Sequence, residues 1–314
     1  MNSGTVVWRF RDGKAGHERQ TAGLLGALAR LRSLSVFDVH TATTPRAWWD
    51  WCRGRVPAVL TLPTPQLVLG AGSGCAWPVL ASARATGAFS VYLMKPPLPW
   101  PHFDLCFVPR HDSPAASARV TPTEGVLNDL DASLQPRNGP TAILVGGPSR
   151  HHDWRDDDLL QQIASVVFGQ RERNVVIADS RRTPAATAAR LRDFCGQGVR
   201  FVSHETSGPA WLRDTLHQAA AVWVTADSVS MLFEALTAGC PVGVLAVPAR
   251  RADRITAIAG DLVAQGRVSS LKQWLASGRL PAPQALAEAA RCASSTAAQR
   301  AAVLDARLPP AVAG

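Results

Sequence analysis

Residues 221–238 read AVWVTADSVSMLFEALTA. The first five are apolar and β-branched, as in a strand buried on both faces. Ala226 and Asp227 break the run, and Ser228 stands where a helix N-cap belongs. The next ten residues carry Met, Leu, Phe and Ala at helical spacing, closed by Gly239. A strand, a short polar turn and a helix in that order form the unit from which parallel sheets with crossover helices are built.

The same unit recurs in both directions along the chain. Upstream, 141–145 (TAILV) ends in Gly146-Gly147-Pro148-Ser149 and is followed by a helical stretch at 156–168. A strand at 174–178 (NVVIA) leads through Ser180-Arg181-Arg182-Thr183-Pro184 into a helix at 184–194. Strands are expected at 200–203 and 242–247, with a helix at 252–265. In the N-terminal part, strands are expected at 5–10, 35–39, 66–69, 89–93 and 104–108, and helices at 19–31 and 75–86. Residues 109–140 are rich in Pro, Ser, Asp and Asn with weak periodicity, which marks a domain boundary. The expected fold is α/β, GT-B-like: two doubly wound Rossmann-like domains, 1–135 and 136–314, facing a central cleft. An Ala- and Arg-rich tail at 281–307 is expected to be helical and to cross back to the first domain.

With 314 residues and 46% apolar content, the chain can bury two cores. Its 33 Lys and Arg against 24 Asp and Glu leave +9, which favours anionic partners. These charges form no basic stripe with interleaved aromatics, so nucleic acid is not an expected partner. The six cysteines form no CxxC pair and read as reduced core residues of a cytoplasmic protein. No metal or cofactor site is implied. No signal peptide is read at the N-terminus, and no apolar run approaches the ~20 residues that span a bilayer.

Ligands of doubly wound sheets bind beyond the C-terminal strand ends, so the loops there are the candidate sites. Asp12-Gly13-Lys14-Ala15-Gly16-His17 follows the first strand. Its glycines permit close backbone approach, Lys14 offers a charge to phosphate, and His17 or Asp12 offers a base. Gly70-Ala71-Gly72-Ser73-Gly74 suits approach by phosphate or acceptor. The N–H groups of Gly146 and Gly147, with Ser149, suit a diphosphate. Arg181 and Arg182 suit phosphate oxygens, one pointing inward and the other to solvent. Ser228 and Ser230 at a helix start make an anion site beside Asp227. Glu234, on an otherwise apolar helix, needs a partner, and a ribose diol supplies two donors.

Five ordered motifs, at 12–24 (DGKAGHERQTAGL), 103–112 (FDLCFVPRHD), 144–149 (LVGGPS), 180–184 (SRRTP) and 224–242 (VTADSVSMLFEALTAGCPV), resemble the elongated-mitochondria, or mitochondrial fission, family and its bacterial relatives. That family is similar in turn to GT-B glycosyltransferases. The resemblance implies that Gly16 and His17 meet the acceptor; their places in the strand-end loops put Lys14, Gly72 and Ser73 on the same side. The resemblance also implies that Ser228, Ser230 and Glu234 hold the nucleotide.

The combined expectation is a metal-independent transfer of a sugar from a nucleotide-sugar donor to an acceptor such as an envelope glycolipid. The leaving diphosphate would be stabilised by Arg181 or Arg182, Gly147, Ser149, Ser228, Ser230 and helix N–H groups. Asp112 stands in reserve as base behind His17 and Asp12. Two alternatives stay open: a non-catalytic adaptor of the same shape, and a non-hydrolysing sugar-nucleotide epimerase. Trp48, Trp49 and Trp51 among Arg46, Arg53 and Arg55, with Trp100 in a Pro-rich stretch, suit either a core helix or an anionic membrane face. The latter would place the protein peripherally on the inner face of the cytoplasmic membrane.

Overall fold

The computed structural model describes residues 4–43, 46–55, 61–97, 102–115, 117–132, 136–170, 174–208, 210–282, 288 and 291–295. They divide into two compact units, one of Met1–Asp129 with Glu288–Gly314 and one of Leu130–Ala287.

The first unit runs β1 (Thr5–Arg11), α1 (Ala15–Ala29), β2 (Leu34–His40), α2 (Ala47–Arg53), β3 (Leu67–Ala71), α3 (Ala76–Thr86), β4 (Phe89–Leu93), β5 (Leu105–Pro109) and β6 (Val120–Thr123). The strands form one sheet in the order β2-β1-β3-β4-β5-β6, and every pairing is parallel. Alternation along each strand sorts side chains onto two covered faces. Val7, Leu69, Val91, Leu93 and Phe107 pack with Leu24, Leu25 and Leu28 of α1, and Cys292 and Ala293 join this layer. Trp8, Phe10, Val68, Tyr92 and Cys106 pack with Val79 and Leu80 of α3, and Trp51 of α2 leans on that side. Residues 291–295 are helical, and the remainder of the expected tail helix lies outside the described residues.

The second unit runs β7 (Thr141–Leu144), α4 (Asp156–Phe168), β8 (Val175–Ala178), α5 (Ala185–Arg192), β9 (Val199–Val202), α6 (Trp211–Gln218), β10 (Ala221–Thr225), α7 (Val229–Thr237), β11 (Val242–Leu245), α8 (Arg254–Ala264), β12 (Ser269–Ser270) and α9 (Leu271–Ser277). Its sheet is again wholly parallel, in the order β12-β11-β10-β7-β8-β9. Ile143, Ile177 and Trp223 pack under Ile163 and Val167 of α4 and Leu191 of α5. Three aspartates open α4, where carboxylates favour the helix dipole. Arg137 donates to the Leu216 carbonyl at 2.8 Å and to the Ala238 carbonyl, supplying partners where α6 and α7 run out of helical N–H groups.

Several expectations need correction. Helix α1 begins at Ala15, so Gly16 and His17 lie in its first turn rather than in a preceding loop. Strand β6 falls inside the stretch that reads as irregular. Its Pro122 is tolerated because β6 is an edge strand. Four cysteines are buried, but Cys52 and Cys195 are exposed. Burial pushes the thiols of Cys75, Cys106 and Cys292 up to about 12 and that of Cys240 to about 11.

Candidate functional site

In the first unit the chain leaves β1 and turns at Asp12. The Asp12 carboxylate accepts from the Lys14 backbone N–H at 3.2 Å, closing a tight side-chain turn. Its other oxygen lies 2.8 Å from Nδ1 of His17. The Asp12 side chain is nearly buried, at 6% exposure, whereas that of His17 is 19% exposed. Lys14 Nζ stands 3.8 Å from the same carboxylate oxygen and is itself largely in solvent. An anionic carboxylate on Nδ1 holds the proton there and leaves Nε2 as the basic nitrogen.

The neighbouring strand completes the arrangement. Gly72 follows β3, which pairs directly with β1. It has φ +82°, and a Cβ there would meet the His17 ring at 2.1 Å and Asp12 Oδ2 at 2.9 Å. The backbone thus lies flat against the dyad where only glycine fits. Tyr92 Oη donates to the Gly72 carbonyl at 2.6 Å, fixing that backbone from β4. Gly16 and Ser73 are exposed beside this cluster, as is Lys14.

Asp112 does not belong to the cluster. It is buried in the turn after β5, which stands three strands from β1. At ~4.8 Å per strand the separation is roughly 14 Å. Its reserve role as base is not supported by this strand order.

In the second unit the candidate residues also gather at the C-terminal strand ends, but many serve one another. Gly146 N–H donates to Thr225 Oγ1 at 2.8 Å, and Gly147 N–H donates to Asp227 Oδ2 at 3.0 Å. Neither is therefore a preformed donor to a diphosphate, contrary to the reading of the Gly-Gly turn. The glycines are required sterically instead. A Cβ at Gly147 would meet the Arg182 carbonyl oxygen at 2.0 Å, and one at Gly146 would meet Asp227 Oδ2 at 2.3 Å. Ser149 Oγ accepts from the N–H groups of His151 and His152 at 3.1 and 3.0 Å, which uses its lone pairs and not its O–H.

Both arginines are exposed, but Arg182 reaches back onto the neighbouring turns. Arg182 donates to Asp227 Oδ2 at 2.7 Å and to the Gly147 carbonyl at 2.9 Å. The Asp227 side chain has no exposure, and that of Arg182 has 41%. Thr183 Oγ1 donates to the Gly146 carbonyl at 2.6 Å, so the 180–184 turn is sewn to the 146–147 turn.

Ser228 is the N-cap of α7 by position, yet its hydroxyl makes no capping bond. It is buried, while Ser230 in the first turn is exposed. Helix geometry leaves the first N–H groups of α7 without helical partners, and their dipole favours an anion. Glu234 sits one turn further on at 3% exposure.

Five residues of this edge were not singled out by sequence. His151 Nδ1 lies 2.6 Å from Asp253 Oδ2, and Asp253 also caps α8 through Ile255 and Thr256. The bond to His151 holds the Asp253 carboxyl well below the usual carboxylate range. Asp179 accepts from the backbone N–H and Nδ1 of His204, the latter at 2.9 Å. His152 is 2% exposed, and its Nδ1 has no hydrogen-bond partner among the described residues. Burial depresses its basicity, against the opposing pull of Asp227. A pair of adjacent histidines directly after a strand-end glycine turn was the available signal.

The family model described as Mitochondrial fission ELM1 matches residues 15–299. The chain belongs to the mitochondrial fission ELM1 family. The match to this ELM1 family takes in His17, both glycine turns and the whole second unit. An uncharacterised protein of Rickettsia prowazekii is 21% identical over 297 residues, covering 77% of this chain and 83% of its own.

Among solved structures, a UDP-N-acetylglucosamine 2-epimerase matches at TM-score 0.60 and 13% identity, with 100% of each chain covered. The S. aureus MnaA–UDP co-structure matches at 0.51 and 13%, covering 96% of this chain and 97% of that one. The glycosyltransferase SnogD from Streptomyces nogalater matches at 0.50 and 15%, covering 95% and 96%. These likenesses establish the GT-B, two-domain Rossmann-like fold for this member of the ELM1 family.

Proposed function

We propose that this chain is a glycosyltransferase that uses a nucleotide-sugar donor and activates its acceptor with His17. The observation that carries the reading is the contact of His17 Nδ1 with the nearly buried Asp12 carboxylate. A carboxylate-oriented imidazole with its second nitrogen directed away from that partner is what removal of a hydroxyl proton requires. Asp12 positions the ring and stabilises the imidazolium that forms, and Gly72 keeps the ring in place.

In the proposed step the acceptor oxygen bonds to the anomeric carbon of the donor sugar. The bond from that carbon to the diphosphate oxygen breaks, and the acceptor proton passes to His17 Nε2. The diphosphate leaves with the negative charge. We assign its binding to the start of α7, with Ser228 and Ser230, and to the exposed Arg181. Arg182 is already neutralised by Asp227 and shapes the turn. Glu234 is assigned to the ribose. UDP in the MnaA co-structure supports testing UDP-sugars first. The acceptor we assign is a hydroxyl compound, with an envelope glycolipid as the first class to test.

A thermal-shift screen against UDP-, GDP-, ADP-, dTDP- and CMP-sugars, followed by product analysis with and without acceptor, tests this reading. One nucleotide-sugar should stabilise the protein. Its consumption should require acceptor and should fall when His17 is replaced by Ala.

A second reading is favoured by one observation. The strand ends of the second unit carry the acid–base groups His151, His152, His204, Asp179, Asp227 and Asp253. That supply suits sugar-nucleotide epimerisation. Conversion of a UDP-sugar to its epimer without acceptor, unaffected by His17→Ala, would select it.

A further inference from the structure

Helix α2 has the wrong outward face for a helix that meets only water. Its Ala47 is buried, and Trp51 packs inward against Trp77, with ring centroids 5.2 Å apart. The opposite face displays Trp48 and Trp49, at 45% and 49% exposure. The two rings touch edge to face at 4.5 Å and form one continuous apolar surface. Adjacent exposed tryptophans are an uncommon use of the most apolar large side chain.

The surroundings of this surface are cationic. The Arg53 guanidinium lies 5.4 Å from the Trp49 ring, and that of Arg84 lies 5.4 Å from the Trp51 ring. Arg46 and Arg55 flank the helix, and all four arginines are exposed. Asp50 is the acid on the same helix and is half-buried. Indole rings settle at the depth of lipid headgroups, and guanidinium groups beside them pair with lipid phosphates. A stacked arginine retains its charge for this purpose.

We infer that the α2 face is a docking surface for an anionic lipid bilayer, with Trp48 and Trp49 entering the headgroup region and Arg46, Arg53, Arg55 and Arg84 on the phosphates. Among the described residues no helix is long and apolar enough to cross a membrane, so this attachment is peripheral. It does not depend on whether the chain transfers a sugar. Trp100 lies outside the described residues and has no part in the argument.

The test is flotation of the full chain with phosphatidylcholine vesicles containing 0 or ~30% phosphatidylglycerol, at low and high salt. Cys52 lies on the exposed face, so a fluorophore there reports burial of the surface. A Cys195→Ser background keeps the label specific, since the other four cysteines are buried. The expected result is binding to the anionic vesicles, weakened by salt as screening requires, with a blue shift of the label. Binding should drop at least about tenfold in a Trp48→Ala/Trp49→Ala variant. It should also drop in Arg53→Glu/Arg55→Glu, which keeps the aromatic surface and serves if the tryptophan variant misfolds. Wild-type protein that stays with the unbound fraction overturns the inference. So do variants that bind like wild type. Tryptophan-dependent dimerisation without vesicle binding also overturns it and gives the face to a second copy.

Discussion

Nδ1 of His17 and Oδ2 of Asp12 meet at 2.8 Å across the junction between the first strand and the first helix. The pair sets a nearly buried carboxylate against a partly exposed imidazole. If it activates the acceptor, His17→Ala should lower turnover by about 10²–10⁴-fold while leaving nucleotide affinity within about twofold. Asp12→Asn should lower turnover by a comparable amount, because an amide no longer stabilises the imidazolium. Steady-state rates with calorimetric affinities for the same variants separate this from a binding defect.

Gly72 gives a steric version of the same test. A methyl group there collides with the His17 ring and occupies a backbone conformation at φ +82° that costs of order 1–3 kcal/mol. Gly72→Ala should therefore lower both stability and turnover. Gly74→Ala is the control. Its Cβ would meet Asp12 Cβ at an ordinary 3.4 Å, and it should retain near-native thermal stability.

The strands and most helices were legible because apolar periods and strand-end turns coincide along both halves of this chain. The elements that escaped lack those signals. Strand β6 carries a proline and two threonines, and β12 has only two residues. Helix α6 opens without a side-chain cap. Helix α9 could have been found from its capping box, Ser270 with Gln273. At the site, residue types were legible but partners were not. Nothing in the sequence tells that Asp227 faces Arg182 and the Gly147 N–H, because those contacts join turns 45 and 80 positions apart. Nor does it show that Ser149 closes its own turn.

The Asp227–Arg182 pair should be a stability element. Removing Arg182 leaves a carboxylate that has no exposure, and removing Asp227 also frees the Gly147 N–H. Asp227→Ala should cost about 1–3 kcal/mol, because the buried Gly147 N–H loses its acceptor while Arg182, partly in solvent, can be hydrated. Asp227→Asn should cost less, since an amide oxygen can still accept from Gly147. Urea unfolding of the two variants checks the order.

Stability should also fall on acidification in two stages. His152 is buried with its basicity depressed below the ordinary value near 6.5, so below that pH the unfolded chain binds a proton that the folded chain refuses. Its contribution is lost as pH falls from about 6.5, by at most about 1.4 kcal/mol per pH unit. Asp253 behaves as a depressed carboxylate. Its stabilising effect is present above its unfolded value of about 4 and is lost as pH drops below that. Urea midpoints at pH 7.5, 6 and 5 should decline in wild type and flatten in His152→Gln. An equal slope in both would remove His152 as the cause.

We propose a nucleotide site in the second unit and a catalytic base, His17, in the first. Calorimetric titration of the best-stabilising nucleotide-sugar into wild type, Glu234→Ala and His17→Ala tests it most directly, with product formation measured on the same samples. The account predicts that Glu234→Ala weakens binding by about tenfold or more, whereas His17→Ala binds normally and makes no product. Unchanged affinity in Glu234→Ala, or full turnover in His17→Ala, would contradict it.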